Sequence, residues 1–116
     1  MKPLFLALLI ASLPASAALA AGGYTGPGAA RPATTVAAAR GAADETPVVL
    51  EGEIVQRLKG DTYEFRDATG TVKVEIDDED WPDRAVDDQT RVRLTGEMES
   101  ELLQHVIDVE RVEVLD

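Results

Sequence analysis

Glu64 and Arg66, two positions apart, and Lys73 and Glu75, spaced the same way, would project four charges from one face of a β-ribbon. Two carboxylates among two cations can hold a small polar or cationic ligand through ion pairs and hydrogen bonds. Group-transfer chemistry needs more. Beyond Ser16 the chain has one serine, Ser100, and it has one histidine, His105, and no cysteine. Five apart in what reads as a loop, Ser100 and His105 have no third residue to orient them, so no catalytic residue is assigned. Asp77, Asp78, Glu79, Asp80 and Asp83 form an oxygen-rich run that raises calcium, but the EF-hand spacing with its central glycine and terminal glutamate is missing. A solvated helix start accounts for most of that run, and neither a metal ligand nor a cofactor is assigned.

The elements that must carry these residues are strands. Tyr63 and Phe65 alternate with Thr62, Glu64 and Arg66, and Val72, Val74 and Ile76 alternate with Thr71, Lys73 and Glu75. Between them, Asp67-Ala68-Thr69-Gly70 predicts a four-residue hairpin loop, with Asp67 bonding the backbone ahead of it and Gly70 at positive φ. The ribbon is flanked by a strand from Val48 to about Arg57, with Leu50 and Ile54 inside and Gly52 marking a bulge or sharp coil. A fourth strand, Thr90 to Met98, turns Val92, Leu94, Gly96 and Met98 inward. In a fifth, His105 to Val114, Ile107 and Val109 give way to Val112 and Val114, which requires a bulge near Glu110-Arg111. The acidic connection ends in Trp81-Pro82, and Trp81 is expected to plug the barrel bottom. Thr34 or Thr35 would cap a brief helix through Val36, Ala39 and Ala42 before the first strand.

The charge is unevenly placed. Of 116 residues, all 22 acids lie from Asp44 onward, while Lys2, Arg31 and Arg40 precede it, and the formal net charge is -11. A surface of that sign repels phosphate backbones and attracts cations or basic partners. Without cysteine, disulfides, thiol nucleophiles and thiolate zinc sites are excluded. At the amino terminus, Lys2, the apolar run Leu4 to Leu13 and Ala18-Leu19-Ala20 form a secretory signal, residues 1–20, with cleavage expected after Ala20 or, second, after Ala17. The mature chain is therefore expected outside the cytoplasm, with no stable membrane insertion after cleavage. Residues 21–33, rich in Gly, Ala and Pro, read as a flexible linker in which Tyr24 could be a docking element. Residues 34–116 form the folded domain.

Three strands, a short helical connection and two further strands is the order of the OB-fold, an all-β, five-stranded Greek-key barrel. An SH3-like barrel has the same strand count but usually lacks the long third connection with an apolar aromatic. The expected core is Leu50, Ile54, Tyr63, Phe65, Val74, Ile76, Trp81, Leu94 and Val109. With Tyr63 and Phe65 on the core face and no exposed aromatic on the ribbon, base stacking has no platform, so nucleic acid is not an expected partner.

Several motifs carry a resemblance. Val48-x-Leu50-x-Gly52-x-Ile54, Tyr63-x-Phe65-x-Asp67-x-x-Gly70, Val74-Glu75-Ile76-Asp77 with Trp81, Val92-x-Leu94-x-Gly96-Glu97 and Ile107-Asp108-Val109 together resemble the bacterial OB-fold (BOF) family of YgiW/YdeI-type proteins. The export signal and the Gly-Gly-aromatic-Thr-Gly-Pro opener are similar as well. Pro82 and Leu102-Leu103 depart from the pattern. The resemblance implies a periplasmic stress-tolerance protein that binds a small, cationic or other envelope ligand rather than nucleic acid, and it implies no catalytic residues. By fold analogy the ligand face is Glu64, Arg66, Lys73 and Glu75. The other expectation is an adaptor that contacts an envelope protein through the acidic barrel or Tyr24.

Overall fold

The computed structural model describes residue 24 and residues 26–29, 31–101 and 104–116. The signal region 1–20 lies outside the described residues. The chain divides into two units, residues 1–30 and Arg31–Asp116. In the second, helix α1 (Val36–Arg40) precedes β1 (Pro47–Lys59), β2 (Thr62–Asp67), β3 (Gly70–Ile76), a 3-10 turn at Asp78–Asp80, β4 (Arg91–Glu101) and β5 (Gln104–Val114). The strands close into a barrel in the order β1-β2-β3-β5-β4, with β3 and β5 parallel and the other pairs antiparallel.

Closure depends on β1 serving two partners. Its residues Pro47–Glu53 pair with β4, and Glu53–Lys59 pair with β2. At Gly52 a Cβ would overlap the carbonyl oxygen of Arg66, and at Gly96 one would overlap that of Asp108. Strands cross there too closely for any side chain. The bulges of β1 do not fall at Gly52, as expected from a mid-strand glycine, but between Ile54 and Gln56 and between Arg57 and Lys59. Gly52 supplies the close approach, and the extra residues Val55 and Leu58 supply the coil. On β5 the register shift lies where Thr95 faces Arg111 and Gly96 faces Val109, which leaves Glu110 as the extra residue and keeps Val109 and Val112 both inside.

Leu50, Ile54, Phe65, Val74, Ile76, Leu94 and Val109 are buried in one core with Val36 and Ala39 of α1. Tyr63 and Trp81 differ from the expectation. Both are only half-buried and pack against the core from its margin, their rings edge-on at 5.2 Å. Tyr63 is the second residue of β2, so its ring stands at the barrel mouth. Pro82 and the short 3-10 turn keep the chain from carrying Trp81 deeper.

The hairpin loop is tighter than expected. Asp67 pairs with Gly70, so only Ala68 and Thr69 lie between the strands, and Gly70 takes φ 151°. This tip also caps α1. Asp67 Oδ2 accepts from Val36 N at 2.9 Å, Thr69 Oγ1 accepts from Ala37 N at 2.9 Å, and Thr35 Oγ1 accepts from Ala38 N at 3.1 Å. Three amides that a helix start leaves without intrahelical partners are thereby satisfied. Partial burial raises the Asp67 carboxyl pKa, but hydrogen bonds from the Thr69 hydroxyl and from the amides of Val36, Thr69 and Gly70 outweigh it. The net effect holds Asp67 below the usual carboxylate value. Ahead of the helix, Ala33 bridges Val48, with Val49 N donating to Ala33 O at 2.9 Å.

Candidate functional site

On the outer face of the β2-β3 ribbon the four charged residues come together by register. Glu64 faces Lys73, Glu75 faces Thr62, and Arg66 faces Thr71. Some of their capacity is already used. Glu64 Oε1 accepts from Gln56 Nε2 at 2.9 Å, and Arg66 lies 3.9 Å from Glu53, which also holds Arg91 at 3.2 Å. The face continues onto β5 and β4, where Glu75, Asp108 and Glu97 occupy directly opposed positions of three adjacent strands. Each alternates with buried residues, so all three carboxylates belong to the outer surface. Like charges in direct opposition disfavour the sheet unless water or a cation screens them.

The arginines of the opposite side are engaged. Arg93 reaches Glu51 at 3.1 Å and Glu113 at 3.5 Å, and Glu113 also faces Arg111 at 4.0 Å. The outer surface is thus split into a paired belt on β1, β4 and β5 and an acidic row crossing β3, β5 and β4.

Neither of the two clefts described below is lined by Glu64, Arg66, Lys73 or Glu75. One cleft, of about 420 Å³, lies between Thr35, Val49, Glu51, Arg91 and the tip residues Asp67 and Thr69. Of its polar groups, Thr35, Asp67 and Thr69 cap α1, while Glu51 and Arg91 are ion-paired with Arg93 and Glu53. The other, of about 300 Å³, is lined by Val55, Arg57, Trp81, Val86, Asp87 and Asp88 among others. Its walls are fixed. Arg57 Nε donates to Gly60 O at 2.8 Å, and its guanidinium stands 6.0 Å from the centre of the Tyr63 ring. Asp87 Oδ1 accepts from Gln89 N at 2.9 Å and from the Thr90 hydroxyl at 3.0 Å. Those bonds, the Gln89 amide first, hold the Asp87 carboxyl below its usual value.

Ser100 and His105 do not lie in a loop. They face each other across β4 and β5, with Ser100 Oγ 3.2 Å from His105 Nδ1. The strands run further than their apolar alternation indicated, so the connection shrinks to residues 102–103. Ser100 N donates to Asp44 Oδ1 at 3.0 Å, while the imidazole is exposed. The acids of the 77–83 run spread along the 3-10 turn and the connection. Among the described residues no group of three or more acidic or histidine side chains is arranged to hold a metal ion.

Exposed large apolar side chains among the described residues are Leu58 and Tyr24. In the first unit Tyr24 is 68% exposed, and its hydroxyl donates to Pro27 O at 2.7 Å across a turn in which Ala29 N donates to Gly26 O at 3.0 Å. Sequence reasoning picked out the ribbon face and Tyr24. It missed the cleft beside Trp81, whose walls come from a bulge and an aperiodic connection.

The barrel and its sequence have known counterparts. The calcium-regulated OB-fold protein CarO of Pseudomonas aeruginosa is 64% identical over 95 residues, which cover 82% of each chain. Protein YgiW of Escherichia coli is 36% identical over 102 residues, 78% of each chain. The solved structure of YgiW matches with a TM-score of 0.70 at 35% identity, covering 81% of this chain and 99% of that one. The telomere capping protein Ten1 from Schizosaccharomyces pombe shares the barrel alone, with a TM-score of 0.56 at 14% identity over 74% of this chain and 81% of its own. The profile of bacterial OB fold (BOF) proteins matches residues 11–114, and with these relatives it shows that the chain belongs to the BOF family.

Proposed function

We propose that the protein is an exported, periplasmic binding protein of the stress-tolerance class, without catalytic activity, that takes a small cationic envelope ligand rather than nucleic acid. The observation that carries this reading is the row Glu75, Asp108 and Glu97 beside Glu64, a set of carboxylates drawn together by strand register. A cation relieves their mutual repulsion, and the net charge of -11 raises its local concentration. Phosphate backbones meet the opposite field. Phe65 is buried and the half-buried Tyr63 ring is packed edge-on against Trp81 at the barrel margin, so the outer face of the ribbon carries no aromatic platform for base stacking. Secretion is supported by the basic, apolar and small-residue pattern of residues 1–20.

A thermal-shift screen of spermidine, calcium, magnesium and peptidoglycan fragments tests the reading. Calcium is included because the name of the Pseudomonas aeruginosa relative connects that protein with calcium regulation. A rise in Tm with one cation class, lost in Glu64→Ala plus Glu75→Ala, supports it. Binding of single-stranded DNA at low salt with micromolar affinity would overturn it. The second reading, an adaptor for an envelope protein, is favoured by one observation, the exposed Tyr24 ring held on a closed turn. It requires a crosslinked protein partner that disappears with Tyr24→Ala.

A further inference from the structure

We infer that the cleft beside Trp81 is a second binding site, one for organic cations that have an apolar body and a charged ammonium head. It goes beyond the acidic row, because its recognition chemistry is different. The row offers charge on an outer face, whereas the cleft joins an aromatic and aliphatic floor to charge at its rim. Trp81, Val55 and Val86 supply the floor, and Asp87 and Asp88 supply the anions, in a volume of about 300 Å³. An ammonium group above an indole is attracted to the ring face, and neighbouring carboxylates add to that attraction. Metal ions gain little from such a floor, and neutral apolar molecules gain nothing from the rim.

The walls are organised before any ligand arrives. Trp81 is held by the Tyr63 ring at 5.2 Å, and Asp87 is held by Gln89 and Thr90. Arg57, the one cation of the lining, is tied back to the Gly60 carbonyl. Little side-chain freedom remains to be lost on binding, which is the condition under which a small cleft binds measurably. Val55 belongs to the site because the β1 bulge between Ile54 and Gln56 displaces it from the regular alternation.

The chain has one tryptophan, so its emission reports on this cleft alone. Benzyltrimethylammonium would be titrated into the full chain, with benzyl alcohol as the neutral match and sodium phosphate as the anionic one. Saturable quenching is expected for the ammonium probe, with Kd on the order of 0.1–1 mM. Benzyl alcohol should bind at least about fivefold more weakly, and phosphate should leave the emission unchanged. Asp88→Asn should weaken the ammonium probe by about fivefold without altering Tm, and Asp87→Asn plus Asp88→Asn should weaken it at least as much with a small loss of Tm, because the Asp87 carboxylate is the acceptor of the turn. Glu75→Ala plus Glu97→Ala, in the acidic row and outside the lining of the cleft, should not change it. Linear quenching, equal response to benzyl alcohol, or an affinity indifferent to both aspartates would overturn the inference. None of those results touches the acidic row. An affinity that falls with the Glu75 and Glu97 variant instead assigns the cation to that row and removes this site.

Discussion

The two ends of β2 meet different neighbours. At Asp67 the hairpin tip is joined to α1 by hydrogen bonds that satisfy the helix amides, and Val36 and Ala39 are buried below it. At Tyr63, four residues earlier, the barrel is covered by an aromatic pair that remains half-buried and borders an open cleft. Small side chains whose tip oxygens already accept from the helix amides make one end a structural cap, and the cleft beside it is bordered by those engaged oxygens. Large rings left partly bare, with carboxylates at their rim, make the other a surface suited to a ligand. The contrast teaches that burial of aromatics in a small barrel is not uniform, and that the half-buried one is where recognition is to be sought.

The most damaging change would remove the wall both ends share. Gly52→Ala places a methyl group against the Arg66 carbonyl where β1 passes from β4 to β2, and the expected loss is at least about 4 kcal/mol in urea unfolding. Full-strength folding of that variant would mean that β1 does not need to coil there. Next come the ends themselves. Val36→Asp buries a carboxylate without a partner and is expected to cost about 3–5 kcal/mol. Trp81→Ala removes a side chain already in contact with water and should cost only about 1–2 kcal/mol. If Trp81→Ala proves the costlier of the two, the contrast between a capped end and a half-bare aromatic end is wrong.

A smaller effect sharpens the closed end. Asp67 has a folded-state pKa below the ordinary carboxyl value of 3.8, so its contribution is fully present above that value and is lost as pH falls through the lower, folded value. Asp67→Asn should therefore reduce stability at neutral pH, by about 1 kcal/mol after allowance for solvent screening, and the gap from the parent should narrow as acid is added. A gap independent of pH would remove the carboxylate from the capping role. The least effect is expected from Arg93→Ala in the exposed ion-pair belt, smaller than that of Asp67→Asn and shrinking further in salt.

Strand identity was legible because alternation survives in every strand, and the β5 bulge was legible because Ile107-Val109 and Val112-Val114 cannot share a face without an extra residue. Thr34 and Thr35 were both legible as caps by type and position, and it is Thr35 that takes the role. The second duty of Asp67 was not readable, since the amide it accepts from lies 31 residues away, and local pattern shows only its own turn. Half-burial of Tyr63 was hidden for a related reason. Alternation tells which face a residue takes but not how near the barrel rim it stands. On the ribbon, the types and faces of Glu64, Arg66, Lys73 and Glu75 could be read, whereas their rows with Asp108 and Glu97 depend on parallel pairing that no local motif encodes. The Trp81 cleft depends on Val55, Asp87 and Asp88, which belong to a bulge and a connection with no period to follow.

The dual pairing of β1 also bears on how the chain reaches this structure. The β2-β3 ribbon joins neighbours in sequence and can zip locally, but the β1-β4 junction unites residues as far apart as Pro47 and Glu97, separated by 50 positions. That long loop must close before its contacts return any stability, so it sets the pace of the search. Slow, single-phase refolding, with strengthened ribbon contacts accelerating it less than a shorter path between β1 and β4, is the kinetic signature of a cylinder sewn shut along its last seam.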